Sequence, residues 1–317
     1  MQQNKSRFSK VLSLTLKLIL AVLLVWWLWH SGKLNWSVIV NIHASWALAG
    51  MAFFQILMIG TLAWRWYLLL NTAGTKLPFI TSLLITLMAQ CTSTFTPGSI
   101  GIDGMRFYHL YKIFPKQRAV ASVSIIWDRL LGIGALLFLT AICNCILLSF
   151  PLPPALKSTF TIILICCIGL LILPLTLLFP HNPLRRLQRW KLLQNIPLAP
   201  GNKSTFILPA ALACCTHFCN AMSLICAFYA MGFPVPLGRA LILMPLVILS
   251  GMLPLTPLGL GVTDAVALMI FNSIHISSGA NAVMLGRISF VAISALCGLA
   301  WFVPLHQNNT SFKNHET

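Results

Sequence analysis

The sequence predicts an all-α polytopic membrane protein, with about six full transmembrane helices and two opposed re-entrant hairpins. Three observations carry that prediction. Of the 317 residues, 58% are hydrophobic and 8% charged, with a mean hydropathy of +0.88, whereas soluble domains carry about 25% charged residues. The apolar residues fall in long blocks near the roughly 20-residue length of a bilayer crossing. Two of those places carry matching Pro/Gly interruptions. Residues 1–317 read as a single integral membrane domain, because the longest polar connection, 181–204, is too short to fold alone.

In chain order, Lys5, Arg7 and Lys10 precede an apolar run at 11–29. It is long for a signal peptide and no A-x-A cleavage pattern follows, so it reads as a retained first span. Further apolar segments fall at 45–64, 79–96, 119–149, 158–179, 205–231, 240–255, 262–274 and 282–304. Segment 79–96 runs straight into Pro97-Gly98, and 240–255 and 262–274 flank a second break. Each piece of that second pair is too short to cross with ease.

Charge decides between topologies. If 79–105 and 240–274 are hairpins entering from opposite sides, most of the 21 basic residues lie on the cytoplasmic side, Arg65 and Arg106 among them. Only Lys33, Lys157 and Arg239 then lie outside, and both termini are cytoplasmic. If 79–96 crosses fully, the basic clusters at 106–118 and 185–203 move outside, against the positive-inside rule. The net charge of +17 is thus topogenic, and no nucleic-acid partner is expected.

The two breaks resemble each other. One reads Thr96-Pro97-Gly98-Ser99-Ile100-Gly101-Ile102-Asp103, the other Thr256-Pro257-Leu258-Gly259-Leu260-Gly261-Val262-Thr263-Asp264. Each has Thr-Pro, two spaced glycines, and an aspartate where a helix can restart. Opposite entry makes them an inverted pair, the build of transporters whose site lies near the midplane. Between the halves, 183–196 places Leu184, Leu187, Trp190 and Leu193 on one helical face and Arg185, Arg186 and Arg189 away from it. That pattern suits a cytoplasmic interfacial helix, or a plain basic loop.

The chain has four acidic residues. Glu316 is in the tail, while Asp103, Asp128 and Asp264 fall in or beside membrane segments. There an ionised group costs roughly 2.5–3.5 kcal/mol, so such residues read as functional by default. Asp103 and Arg106, three apart, share a helical face. Asp128 and Arg129 are adjacent and must each find a partner elsewhere. Arg287 in the last span suits Asp264 or a ligand anion. The competing reading makes these groups ion pairs that pin the hairpins. Helix N-termini and arginines suit phosphate, and the carboxylates suit an ammonium. Asp103, Arg106, Asp128, Arg129, Asp264 and Arg287 are therefore the candidate lipid headgroup site. Pro97, Gly98, Gly101, Pro257, Gly259 and Gly261 form the breaks. Cys214, Cys215, His217 and Cys219 crowd one stretch, but read as buried packing and not as a metal site.

At these residues the chain resembles the lysylphosphatidylglycerol synthase transmembrane-domain family of flippase-like membrane proteins. The matching elements are Arg65-Trp66 with Leu69-Leu70, Pro97-Gly98…Gly101…Asp103…Arg106, Asp128-Arg129-Leu130-Leu131-Gly132, Pro254…Pro257…Gly259…Gly261 with Asp264, and Arg287. The resemblance covers about residues 10 to 305. Asp264 stands where the family usually has glutamate. The resemblance implies a multi-pass protein of the bacterial cell (inner) membrane and the lipid-translocating half of a synthase, in a stand-alone form without its soluble domain.

The expectation is therefore a lipid transporter of flippase or scramblase type, not an enzyme, partnered by a phospholipid or related polar lipid. No G-x-x-x-x-G-K-[ST] loop occurs, so ATP is not the direct drive, and no cofactor is expected. Whether the chain forms a homo-oligomer is left open. The alternatives are an intramembrane enzyme acting on lipid or polyprenyl phosphate, and a non-transporting membrane scaffold.

Overall fold

The computed structural model describes residues 42–75, 77–96, 100–115, 118–147, 203–233, 237–252, 262–272 and 279–305, with isolated positions such as 235 and 276. The first apolar segment (11–29), nearly all of 158–179, the 183–196 stretch, Pro97, Gly98, Pro257, Gly259 and Gly261 lie outside these residues. The helices in order are α1 (Ser45–Thr72), α2 (Phe79–Ser93), α3 (Ile100–Ile113), α4 (Arg118–Leu147), α5 (Ile207–Ala230), α6 (Leu237–Met252), α7 (Val262–Asn272) and α8 (Gly279–Cys297). A 3₁₀ turn, Gly298–Phe302, extends α8.

Four stretches among the described residues are long and apolar enough to cross a membrane: Ser45–Thr72, Ser122–Ile142, Ile207–Ala230 and Asn281–Phe302. Large side chains such as Phe53, Ile56, Phe138, Leu296 and Phe302 are exposed on them. In water such surface is unfavourable; in a bilayer it is the natural outer face. The protein is a multi-pass membrane protein.

The centre is the antiparallel pair α1–α5. His43 N–H donates to the Ala230 carbonyl at 2.8 Å at one end, and the Thr61 and Thr216 hydroxyls lie 3.0 Å apart further along. Lipid supplies no hydrophobic drive between helices, so close backbone approach must hold them. The contact is built for that: Ala47, Ala63, Ala213, Ala227 and Ala230 are buried, and a Cβ on Gly50 would come within 3.2 Å of Cys226 Sγ.

Both central helices end in the same way. Gly74 (φ +87°) and Gly232 (φ +77°) take the left-handed conformation just past α1 and α5. Thr75 N–H reaches back to the Leu70 carbonyl, and Phe233 N–H to that of Phe228. These are Schellman caps, in which glycine avoids the Cβ penalty and the last carbonyls find donors. Pro78 and Pro234 follow and forbid continuation of the helix.

After each cap comes a pair of short helices. At roughly 1.5 Å per residue, α2, α3, α6 and α7 are about 16 to 24 Å long, less than the ~30 Å hydrocarbon core. The α2–α3 pair keeps its two free ends beside the end of α1. The Tyr67 and Phe79 rings lie 5.6 Å apart, and Leu77, Leu110 and Phe114 share a cluster with Trp66 and Leu70. The α6–α7 pair has its free ends beside the end of α5. Phe228 and Phe271 ring centroids lie 4.6 Å apart, and Val235 joins the same core. Because α1 and α5 are antiparallel, the two pairs open toward opposite ends of the bundle.

Two sequence expectations need correction. The hydropathy pattern ends one segment at residue 64, yet α1 runs on to Thr72 with Arg65 only 4% exposed. It ends the first hairpin at 105, yet α3 continues to Ile113 and Arg106 is fully buried. Arg65 and Arg106 are therefore interior groups and do not act as charges of cytoplasmic loops. In each case an ion pair neutralises the charge that interrupts the apolar pattern.

Candidate functional site

α4 enters the bundle between α1, α3 and α5, and its consecutive residues Asp128 and Arg129 point to different neighbours. Asp128 receives two arginines. Arg65 Nε from α1 lies 2.7 Å from Oδ1, and Arg106 Nη1 from α3 lies 2.8 Å from Oδ2. The Arg106 guanidinium also lies over the Trp66 ring, 4.5 Å from its centroid, and Nη2 donates to Thr86 Oγ1 at 3.4 Å. Charge, hydrogen bonds and ring face together replace much of the lost water, while Arg106 Nε has no hydrogen-bond partner among the described residues. Arg129 turns the other way, its Nε 2.7 Å from Asp103 Oδ2.

The two ionic groups differ in access. Around Asp128 the side chains are 0–5% exposed, whereas Arg129 and Asp103 keep 26% and 30%. The first is a nearly buried knot joining three helices. The second is a pair that solvent or a ligand reaches. Asp103 also sits in the first turn of α3, where a carboxylate meets the positive end of the helix dipole.

Beside these groups lies a cavity of about 350 Å³ to whose wall each of α1 to α8 contributes. The inner ends of both short-helix pairs meet there: Ser93 and Ile102 from one, Thr263 from the other. Asp128, Arg129 and Arg65 give one charged side, and Arg287 enters from α8. Gln90, Asn220 and Ser223 add neutral polar groups.

Two side chains bind the central pair to the outer helices in matching fashion. Gln55 on α1 donates through Nε2 to the Gly286 carbonyl of α8 at 3.0 Å. His217 on α5 donates through Nε2–H to the Gly132 carbonyl of α4 at 2.8 Å. Both follow the first residue of their helix by the same interval, Ser45 to Gln55 and Ile207 to His217. Ser289 completes the first contact by donating to Gln55 Oε1 at 2.8 Å.

Of the sequence-predicted residues, Asp128, Arg129 and Arg287 line the cavity together. Asp103 reaches it through Arg129, and Arg106 stands behind Asp128. Asp264 is on α7 next to cavity-lining Thr263, and its side chain lies outside the described set. Asp103 and Arg106, expected on one helical face, take crossed partners on α4 in place of each other. Gly101 lies in the first turn of α3, against the end of α2: a Cβ there would lie 2.9 Å from Ser93 Cα and would also meet Thr96 Oγ1. Cys219 packs with Met58, Ile59 and Cys297.

Sequence reasoning missed Arg65 as a site residue, together with Gln55 and His217. For Arg65 a signal existed. The apolar run Tyr67-Leu68-Leu69-Leu70 continues past it, which marks a charge inside a helix. Gln55 and His217 gave no comparable signal, since single polar residues in apolar helices are common.

A comparison with curated proteins returned no match. Residues 14–305 match the family described as the lysylphosphatidylglycerol synthase TM region. With nearly the whole chain spanned by that match, the protein belongs to the lysylphosphatidylglycerol synthase transmembrane-region family.

Proposed function

We propose that this protein moves a phospholipid or related polar lipid between leaflets, as a flippase or scramblase and not as an enzyme. The observation that carries the reading is the cavity where the inner ends of α2–α3 and α6–α7 meet beside the Arg129–Asp103 pair. The helices of both pairs are short for the bilayer, and the pairs open toward opposite ends of an antiparallel core. Embedded in a membrane, they act as two opposed re-entrant hairpins in an inverted repeat, with their tips at mid-depth. The headgroup rests in the cavity while the acyl chains stay in lipid. Arg129 and Arg287 hold the headgroup, and Arg106 acts through Asp128 to keep the wall in shape. The charge distribution favours an inner-membrane orientation with both termini cytoplasmic.

The test is reconstitution of the full chain into liposomes with trace fluorescent phospholipid and external dithionite. Protein-dependent quenching beyond the outer-leaflet fraction is expected. Quenching equal to that of empty liposomes refutes the reading. Product analysis of the same vesicles distinguishes lipid chemistry from lipid movement. For the hairpins, single cysteines at positions 71, 115 and 233 in a cysteine-free background are labelled from either side. Residues 71 and 115 should label from one side and 233 from the other; opposite-side labelling of 71 and 115 would rule out the first hairpin.

A further inference from the structure

Granted the lipid-translocating reading above, we infer that the outer face of α3 is a track along which a phospholipid passes from the membrane interface to the Arg129–Asp103 pair. The face consists of two rows at i, i+4 spacing, Asp103–Phe107–Tyr111 and Gly104–Tyr108–Lys112. Gly104, Phe107, Tyr108, Tyr111 and Lys112 are exposed, whereas Arg106, His109, Leu110 and Phe114 on the other side are buried. Each row is ordered along its length. The Phe107 and Tyr111 rings stack with centroids 6.0 Å apart, and Lys112 Nζ lies 5.6 Å from the Tyr108 ring centroid. The chemistry changes steadily along the helix. One end carries an ammonium and two phenols, which suit the headgroup level of a leaflet. Phe107 comes next, then Gly104 without a side chain, then the carboxylate of Asp103. From Lys112 to Asp103 the helix rises about 13 Å, close to half of the ~30 Å hydrocarbon core.

Gly104 is the residue that packing does not explain. Glycine weakens a helix interior relative to alanine. Here it is helical, and a Cβ would meet nothing within 4 Å, so neither a turn nor a close approach calls for it. What its missing side chain provides is a clear step on the exposed face, one residue from Asp103. At that inner end Arg129 lines the cavity, while its partner Asp103 is 30% exposed and shares a row with Phe107. The pair thus stands between the outer face and the cavity. A phosphate arriving along α3 meets a guanidinium that can exchange a carboxylate for it. Lys112 draws the phosphate in, and the acyl chains lie over the Phe107 and Tyr111 rings without leaving the lipid. Phosphate is common to phospholipids, so the track serves their movement and sets no preference among headgroups.

The test compares variants of the full chain in the dithionite assay, with melting curves alongside. Gly104→Leu fills the open step and should melt as the parent does, yet move lipid about tenfold more slowly. Gly104→Ala should fall between the two. Lys112→Gln should slow movement about fivefold, the effect of one interfacial charge, and Lys112→Arg should restore most of it. Parent rates in folded Gly104→Leu and in Lys112→Gln overturn the track and leave lipid movement standing. If the parent itself moves no lipid, the transport reading fails and photolabelling judges the face by itself. The full chain is irradiated in liposomes of phosphatidylcholine carrying a diazirine in its headgroup, and adducts are located by mass spectrometry. Adducts at residues 103–107 show a headgroup drawn inward along α3 and support the inference. Adducts confined to residues 108–115, as for a plain interfacial anchor, refute it. So does their absence from α3, the result expected if a protein partner covers this face. The same photolabel decides the matter if Gly104→Leu does not fold.

Discussion

Arg106 pairs with Asp128 on a neighbouring helix, 2.8 Å away, and not with Asp103 three residues before it on its own helix. Asp103 is taken by Arg129, the residue beside Asp128. The two helices are thereby cross-linked by two ion pairs in crossed order. The crossing sorts the charges: one carboxylate is held between two arginines and is almost fully buried, and the other pair is partly exposed. Burial and exposure therefore fall on different pairs, which makes their contributions separable by mutation.

Asp128→Asn should be the most damaging single change. It leaves Arg65 and Arg106 buried without their counter-charge, and breaking such a pair costs about 3–5 kcal/mol. Thermal melting of the detergent-purified chain should show a large drop or no folded peak. Replacing all three together, Arg65→Met, Arg106→Met and Asp128→Leu, should recover much of the loss, because no lone charge remains. Failure of the triple variant to recover would mean the knot is needed for more than charge balance.

Arg129→Gln should behave in the opposite way. The pair with Asp103 is partly exposed, and such pairs contribute about 0–1 kcal/mol. The variant should elute and melt nearly as the parent does, yet lose lipid movement in the dithionite assay. Asp103→Asn should show the same split, by removing the group that orients Arg129. Full movement in both variants would remove this pair from the site.

Two glycines on α3 should differ sharply. Gly101→Ala places a methyl against Ser93 and Thr96 and should destabilise the α2–α3 pair by roughly 1–3 kcal/mol, the usual cost of overpacking. A Cβ at Gly104 meets nothing within 4 Å. Gly104→Ala should therefore be neutral or stabilise by up to about 1 kcal/mol, since alanine favours helix. Paired melting curves decide it; equal effects would mean the close approach at Gly101 is absent.

Gln55→Ala and His217→Ala test the matched contacts between the central and outer helices. Each leaves a glycine carbonyl without the side-chain donor it has now, at a cost near 1–3 kcal/mol when the group stays dry. Similar losses in the two variants, measured by melting, are expected from their matching positions. A loss confined to one would show that only one outer helix depends on this contact.

Composition and block length alone determined that this is a helical membrane protein, and the Pro/Gly interruptions at 97–98 and 257–261 fall between the two helices of each short pair. Those properties are local: a bilayer demands runs of apolar residues, and proline or glycine ends a helix whatever surrounds it. The sparse acids likewise marked Asp103 and Asp128, because any charge in an apolar block stands out. Only the tertiary structure decided which charge meets which. Whether Arg65 ends a helix or lies inside it depends on Asp128, 63 positions away, and the hydropathy pattern carries no record of that distance. The same holds for the polarity of α3, which hid its last turns until the partners on α4 explained them. Pairing is a property of three-dimensional neighbours, and in a medium without water each buried charge must find one.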